Sequence, residues 1–157
     1  MNFQLMNKQR KFILIAAANG IIAMFLPWIR VSFLGFTAGS VNGMHDWGIL
    51  VFLCFLGAGI ITIMGDQTKT LDKTMWMISL IAGGLATLIM VLFFLKAMDA
   101  ISFISFGFYI ALIASLGILY SAYVYKAAGF SIKDGFDSLK GDIEKQTKKD
   151  NVDPPTV

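Results

Sequence analysis

Residues 12–29, 48–64, 75–95 and 101–125 form four stretches without a single Asp, Glu, Lys or Arg, and this constrains the fold more than any other feature. A helix on a water-soluble protein needs a polar face, whereas one that crosses a bilayer needs about 20 predominantly apolar residues in succession. Composition agrees with the second case. The chain is 57% hydrophobic and 15% charged, where a soluble domain is about 45–50% apolar and about 25% charged. The expected fold is an all-α membrane protein: a four-helix transmembrane bundle over residues 1–125, an amphipathic cytoplasmic helix over 126–146 and a disordered tail over 147–157. The second run is the shortest. The fourth would reach about 37 Å at 1.5 Å per residue and has to tilt or protrude.

Lysine and arginine mark the cytoplasmic side of such a chain. Of the 13 Lys and Arg residues, all but Arg30 and Lys96 precede the first run, separate the second from the third, or follow the fourth. Both termini are therefore expected in the cytoplasm. Trp28 and Trp47 would mark the outer boundary, and Trp76, Tyr123 and Tyr125 the inner one. The first run has the basic flank and apolar centre of a signal peptide, yet it is longer than an h-region. It also ends in Leu26-Pro27-Trp28-Ile29-Arg30, bulky where a cleavage site wants small residues, so it is expected to stay as an anchor.

Helices in lipid associate through close contact, which small residues permit. Ser79, Ala82, Gly83, Ala86 and Thr87 share one face of the third run, and Gly107, Ala111, Ala114, Ser115, Ser121 and Ala122 line the fourth. These two spans should pack antiparallel around a short turn at 96–100. Ala16, Gly20 and Ala23 serve the first span, Gly57 and Gly59 the second. Phe103, Phe106 and Phe108 are left to meet lipid or fill gaps.

Chemistry-bearing residues are sparse. One cysteine excludes an internal disulfide framework, and one cysteine with one histidine falls short of a zinc ligand set, so neither metal nor cofactor is expected. Cys54 lies inside a run and reads as a small packing residue. Asn19 is the candidate polar contact within a span; its simpler role is a hydrogen bond to backbone or to a neighbouring helix. His45 and Asp46 lack a third ligand and read as a solvated cap on the second span. The net charge of +3 resides in Lys8, Arg10 and Lys11, since the six lysines of the tail are matched by six acidic residues. No basic stripe with interleaved aromatics supports nucleic-acid binding.

Between the first two runs, residues 30–46 mix β-favouring residues with Gly35, Gly39 and Gly43. They read as a hairpin turning at Leu34-Gly35, with Asn42-Gly43 as the competing turn. In the tail, Ile132, Phe136, Leu139 and Ile143 make a narrow helical stripe. Gly135 and Gly141 each cost such a helix about 1 kcal/mol relative to alanine. This helix should form only when docked on lipid, on the bundle or on another protein, and its stripe is the candidate partner-binding surface.

Leu26-Pro27-Trp28, the outer Asn42-Gly43 and Asp46-Trp47-Gly48 together resemble a pattern in small, uncharacterised bacterial four-span membrane proteins. The resemblance covers the first third of the chain. It implies a bacterial inner-membrane protein and brings no active residues with it. Claudin-like proteins share the topology, but their Gly-Leu-Trp motif and cysteine pair are missing here. The expected role is a non-catalytic accessory, scaffold or assembly subunit, surrounded by the bilayer and bound to a protein partner or to copies of itself. The alternative is a small oligomeric transporter or channel, lined by Asn19, Ser79, Thr87, Tyr109 and Ser115.

Overall fold

The first helix is set by its flanks. Asn7 caps it, its Oδ1 accepting the Gln9 N–H at 2.9 Å, and Pro27 holds Leu26 extended at φ −78°, ψ 155°, ending it as a proline does to the residue before it. In the computed structural model, which describes residues 3–33 and 36–150, this helix is α1 (Lys8–Phe25). It takes in the basic residues that were expected to flank it and leaves Trp28 outside. There follow β1 (Pro27–Phe33), β2 (Phe36–Asn42), α2 (Gly48–Ile63), α3 (Lys73–Lys96), a 3-10 stretch (Met98–Phe103), α4 (Phe106–Val124) and α5 (Ile132–Asp150).

The strands pair antiparallel with Phe33 opposite Phe36 and Pro27 opposite Asn42. The turn expected at Leu34-Gly35 falls between them and lies outside the described residues. Asn42-Gly43, the competing turn, instead leaves the sheet. The hairpin starts at Pro27, earlier than the sequence suggested, because the proline that stops α1 is already extended enough to open a strand. It is tied down where the Ser105 N–H donates to the Trp28 carbonyl at 2.8 Å and Ile29 bridges Ile104.

Helices α1 to α4 form a closed ring in which each packs against two others, α1 on α2, α2 on α3, α3 on α4 and α4 back on α1. Glycine decides how closely they approach. A Cβ on Gly20 would sit 2.7 Å from the Phe55 ring, and one on Gly83 would sit 2.9 Å from Ile118 Cγ2 and 3.0 Å from the Leu119 nitrogen. The interior mixes small residues, Ala17, Ala23, Ala58, Ala86, Ala111, Ala114 and Ala122, with large side chains that include Ile13, Met24, Val51, Phe55, Trp76, Met90, Phe108 and Ile118. The exterior carries Ile22, Leu53, Ile60, Leu88, Ile113 and other large apolar residues, Ile113 at 68% exposure. By length and composition α3 and α4 are able to cross a membrane, and α2 is a shorter apolar helix.

Several expectations change at the ends. Trp28 and Trp76 are buried at 4% and 0% exposure and are not boundary markers. Trp28 meets Phe93 and Phe108 edge-on at 5.9 and 5.5 Å, while Trp76 Nε1 donates to the Ala122 carbonyl at 2.7 Å. A tryptophan near the end of an apolar run is amphipathic and suits either setting; here a backbone carbonyl inside the bundle satisfies its N–H. The fourth helix starts only at Phe106, since 98–103 are taken up by the 3-10 turn, so the excess length forms the connection.

Helix α5 packs on α3. Gly135 makes that possible: a Cβ there would lie 3.0 Å from Trp76 and 3.3 Å from Met77 Sδ, so the glycine that weakens the helix also permits the docking. Thr74 Oγ1 donates to Asp142 at 2.7 Å. The helix runs on to Asp150, past the disorder boundary expected at 147, because Lys and Gln sustain a helix without an apolar period. Residues 151–157, the rest of the expected disordered tail, lie outside the described residues.

Candidate functional site

The small residues singled out for helix packing occupy different places. Gly20, Ser79, Gly83, Gly107, Ala111 and Ser115 are buried, and Thr87 is half-buried. Gly107 faces the end of α1, where a Cβ would lie 2.7 Å from the Pro27 carbonyl oxygen. The hydroxyls of Thr87 and Ser115 donate to carbonyls of their own helix, Gly83 at 2.8 Å and Leu112 at 2.8 Å. Ser79 Oγ is buried without a hydrogen-bond partner, and nothing around it explains this. Asn19 is exposed and donates to Ile15 of its own helix at 2.9 Å, beside a surface groove between α1 and α4. Tyr109 is 40% exposed. These polar groups do not converge on one path.

The basic end of the bundle is locked by two residues that sequence reasoning used only as orientation markers or passed over. Arg10 is 2% exposed. Its Nε donates to the Lys69 carbonyl at 2.9 Å, and one terminal nitrogen donates to the Thr62 and Met64 carbonyls at 3.2 and 2.6 Å. A guanidinium at a helix C-terminus meets both the unpaired last carbonyls and the negative end of the dipole. Arg10 of α1 thus caps α2 and pins the turn to α3. Gln9 does the same for the remaining seam, donating to Ala122 at 3.4 Å and accepting from the Leu71 N–H at 3.1 Å. The turn they hold is ordered by Asp66, which accepts from Thr68 Oγ1 at 2.7 Å and from its N–H at 3.0 Å. Those bonds are the main reason its carboxyl titrates below the usual range.

Unused polar groups gather at the opposite, hairpin end. Three separate segments, 28–29, 41–48 and 93–97, line a cleft of about 340 Å3. Its apolar side is Trp28, Ile29, Val41 and Phe93, with Asn42, His45, Asp46, Trp47 and Lys96 around it. Trp28 offers only its ring, since Nε1 already donates to the Ala23 carbonyl at 3.0 Å. Asn42 Oδ1 accepts the Met44 N–H at 3.2 Å and lies 3.1 Å from His45 Nδ1. An amide oxygen has no proton to give, so neutral His45 carries its hydrogen on Nδ1 and keeps Nε2 as an acceptor. Asp46 stands at φ 48°, the one described non-glycine residue with a positive φ.

The expected His45–Asp46 cap on α2 is not formed. The N-cap is Trp47, without a side-chain bond, and the first turn is closed by backbone carbonyls of His45, Asp46 and Trp47. With Asp46 in the left-handed region the chain turns sharply enough for these carbonyls to serve, and both side chains are left over for the cleft. Asp46 and Lys96 line it together, yet neither forms an ion pair; among the described residues the one such pair is Lys69–Asp66 at 3.6 Å.

A second, smaller groove of about 180 Å3 adjoins the cleft, lined by Trp47, Ile89, Leu92, Phe93 and Lys96. Trp47, Phe93 and Lys96 belong to both, so the cleft, mostly apolar with a polar margin, opens onto an apolar track along α3. This is the arrangement expected of a site for a ligand with a polar head and an apolar body.

Comparison of the chain with known protein families, with characterised proteins and with solved structures finds no significant match.

Proposed function

We propose that α1 to α4 are four membrane spans with both termini in the cytoplasm, and that the chain is a non-catalytic accessory, scaffold or assembly subunit of a membrane complex. The observation that carries the reading is the inversion of the bundle. A soluble bundle buries Leu and Ile and turns polar side chains to water; this one gives much of its interior to Ala, Gly and Ser and exposes most of its Ile and Leu. In the most apolar 18-residue window of α3 only 22% of residues are buried, whereas the core helix of a soluble protein is mostly buried. An exterior of this kind is stable in hydrocarbon and prone to aggregation in water. The distribution of lysine and arginine supports the orientation, and the Leu-Pro-Trp resemblance supports a bacterial inner membrane.

A binding role is favoured over a transport path because Asn19, Thr87 and Ser115 are already bonded to their own backbones. It is further supported by α5, which docks on α3 through Gly135 and Asp142 while Ile132, Phe136 and Ile143 stay exposed at 55%, 59% and 56%. Leu139 is half-buried. The docked helix therefore keeps an apolar stripe for a protein partner or a second copy.

Two measurements test this. With Cys54→Ala as background, Ser40→Cys on β2 is expected to react with an impermeant thiol reagent from outside intact cells, and Lys145→Cys on α5 is expected to be protected. Labelling of Lys145→Cys would overturn the topology. Protein isolated in mild detergent is expected to carry a stoichiometric second polypeptide or a second copy. Phe136→Asp with Ile143→Asp should release it while α5 stays protease-protected on α3, because both side chains are more than half exposed on the docked helix. A wild-type chain that runs alone, or a partner unaffected by both substitutions, would remove the subunit reading.

A further inference from the structure

The cleft at the hairpin end and the groove beside it form one amphipathic site, and we propose that it binds a phospholipid with a phosphoethanolamine head group. The proposal rests on the membrane-embedded reading above. In that frame Trp47 at the start of α2 and Lys96 at the end of α3 sit at the level of the outer head groups, where tryptophan and lysine are favoured. Trp47, at 67% exposure, is the large aromatic surface that a lipid at this depth would meet.

Charge decides which lipid. Asp46 and Lys96 line one cleft without pairing, so the site presents a separated anion and cation. A zwitterion satisfies both, whereas an anionic head group answers only the lysine and leaves Asp46 repelled. Lys96 takes the phosphate: it lies on the last turn of α3, where its ammonium offsets the negative end of the helix that would otherwise repel an anion. The ammonium takes Asp46 as counter-ion. His45 adds an acceptor, since its Nδ1 is committed to Asn42 Oδ1 and Nε2 has a lone pair for an ammonium N–H. One acyl chain follows the track of Trp47, Ile89, Leu92 and Phe93.

The test uses the purified full chain in detergent, titrated with phosphatidylethanolamine or phosphatidylglycerol carrying the same brominated chains, with tryptophan quenching as readout. Trp47 and the ring of Trp28 line the site whereas Trp76 does not, so quenching is expected from those two and should fall, without vanishing, in Trp47→Phe. Wild type should prefer phosphatidylethanolamine by up to about fivefold, the value of a partly exposed charge pair at its upper end. Asp46→Asn should abolish the preference while phosphatidylglycerol still binds; asparagine tolerates the positive φ. Lys96→Gln should weaken both lipids. Unliganded melting equal to wild type in both variants is the accompanying check on folding.

Equal affinity for the two lipids in wild type, or an undiminished preference in Asp46→Asn, would overturn the proposal. Soluble phosphoethanolamine competing at the lipid's own concentration would overturn the assignment of the groove. Cysteine labelling reads the membrane topology separately. The expected labelling with no lipid preference therefore removes this site alone, and labelling of Lys145→Cys removes the reading beneath it.

Discussion

Arg10→Ala is expected to lower stability by about 3 kcal/mol, because removing a charged donor from wholly or partly buried bonds costs about 1.5–3 kcal/mol per bond, offset by the desolvation no longer required of the guanidinium and by water reaching the carbonyls of the exposed residues Met64 and Lys69. The carbonyls of Thr62, Met64 and Lys69 would lose their donor together. Arg10→Lys should fall between, since an ammonium brings charge but not the planar fork that reaches both α2 and the following turn. Arg10→Met, which keeps the length of the side chain and none of its donors, should resemble alanine. Thermal melting in detergent gives the order, and limited proteolysis of residues 64–72 gives the location. Identical melting of wild type and Arg10→Ala would show that the guanidinium does not hold this end of the bundle.

Gly48→Ala should be comparably damaging for an unrelated reason. A Cβ on Gly48 would collide with the carbonyl oxygen of Gly43. That carbonyl has little room to yield: the Gly43 N–H donates to Met24 at 2.9 Å, and the position of its own missing Cβ is 2.7 Å from Trp28 Cζ2. Overpacking against backbone belongs at the upper end of the usual range, about 3 kcal/mol. Gly57→Ala is the matched control in the same helix, where nothing lies within 4 Å. It should melt at or above the wild-type temperature, since alanine is the better helix former by about 1 kcal/mol. The two variants melting together would refute the packing of the 43–48 segment.

Uncharged length made the helices legible, and β-branched residues around Leu34-Gly35 made the hairpin legible. Arg10 shows why the rest was hidden. Its acceptors are backbone carbonyls 52 to 59 residues away, and every residue has a carbonyl, so no residue type betrays the pairing. Trp28 and Trp76 have the amphipathic character of interfacial residues, and only the position of Phe93, Phe108 and the Ala122 carbonyl decides that they are core. The cleft was illegible for a further reason. His45 and Asp46 stood out as a dyad, but Lys96 comes from a segment read as a plain turn, and its closeness to them exists only once α2 and α3 are side by side. The small-residue faces of α3 and α4 were easier, because an i, i+3, i+4 spacing is a local property.

The closed ring of helices has a consequence for how the chain is made. Gln9 bonds the carbonyl of Ala122, 113 residues later in sequence, so the first and last members of the ring meet only when nearly all of it has been synthesised. At about 5–20 residues per second that is an interval of roughly 6–23 s. During it the face of α1 that will receive α4 has no partner within the chain. A nascent bundle of this topology is an open crescent, vulnerable along one seam to whatever neighbouring helix arrives first, and it becomes self-contained only with its final turn.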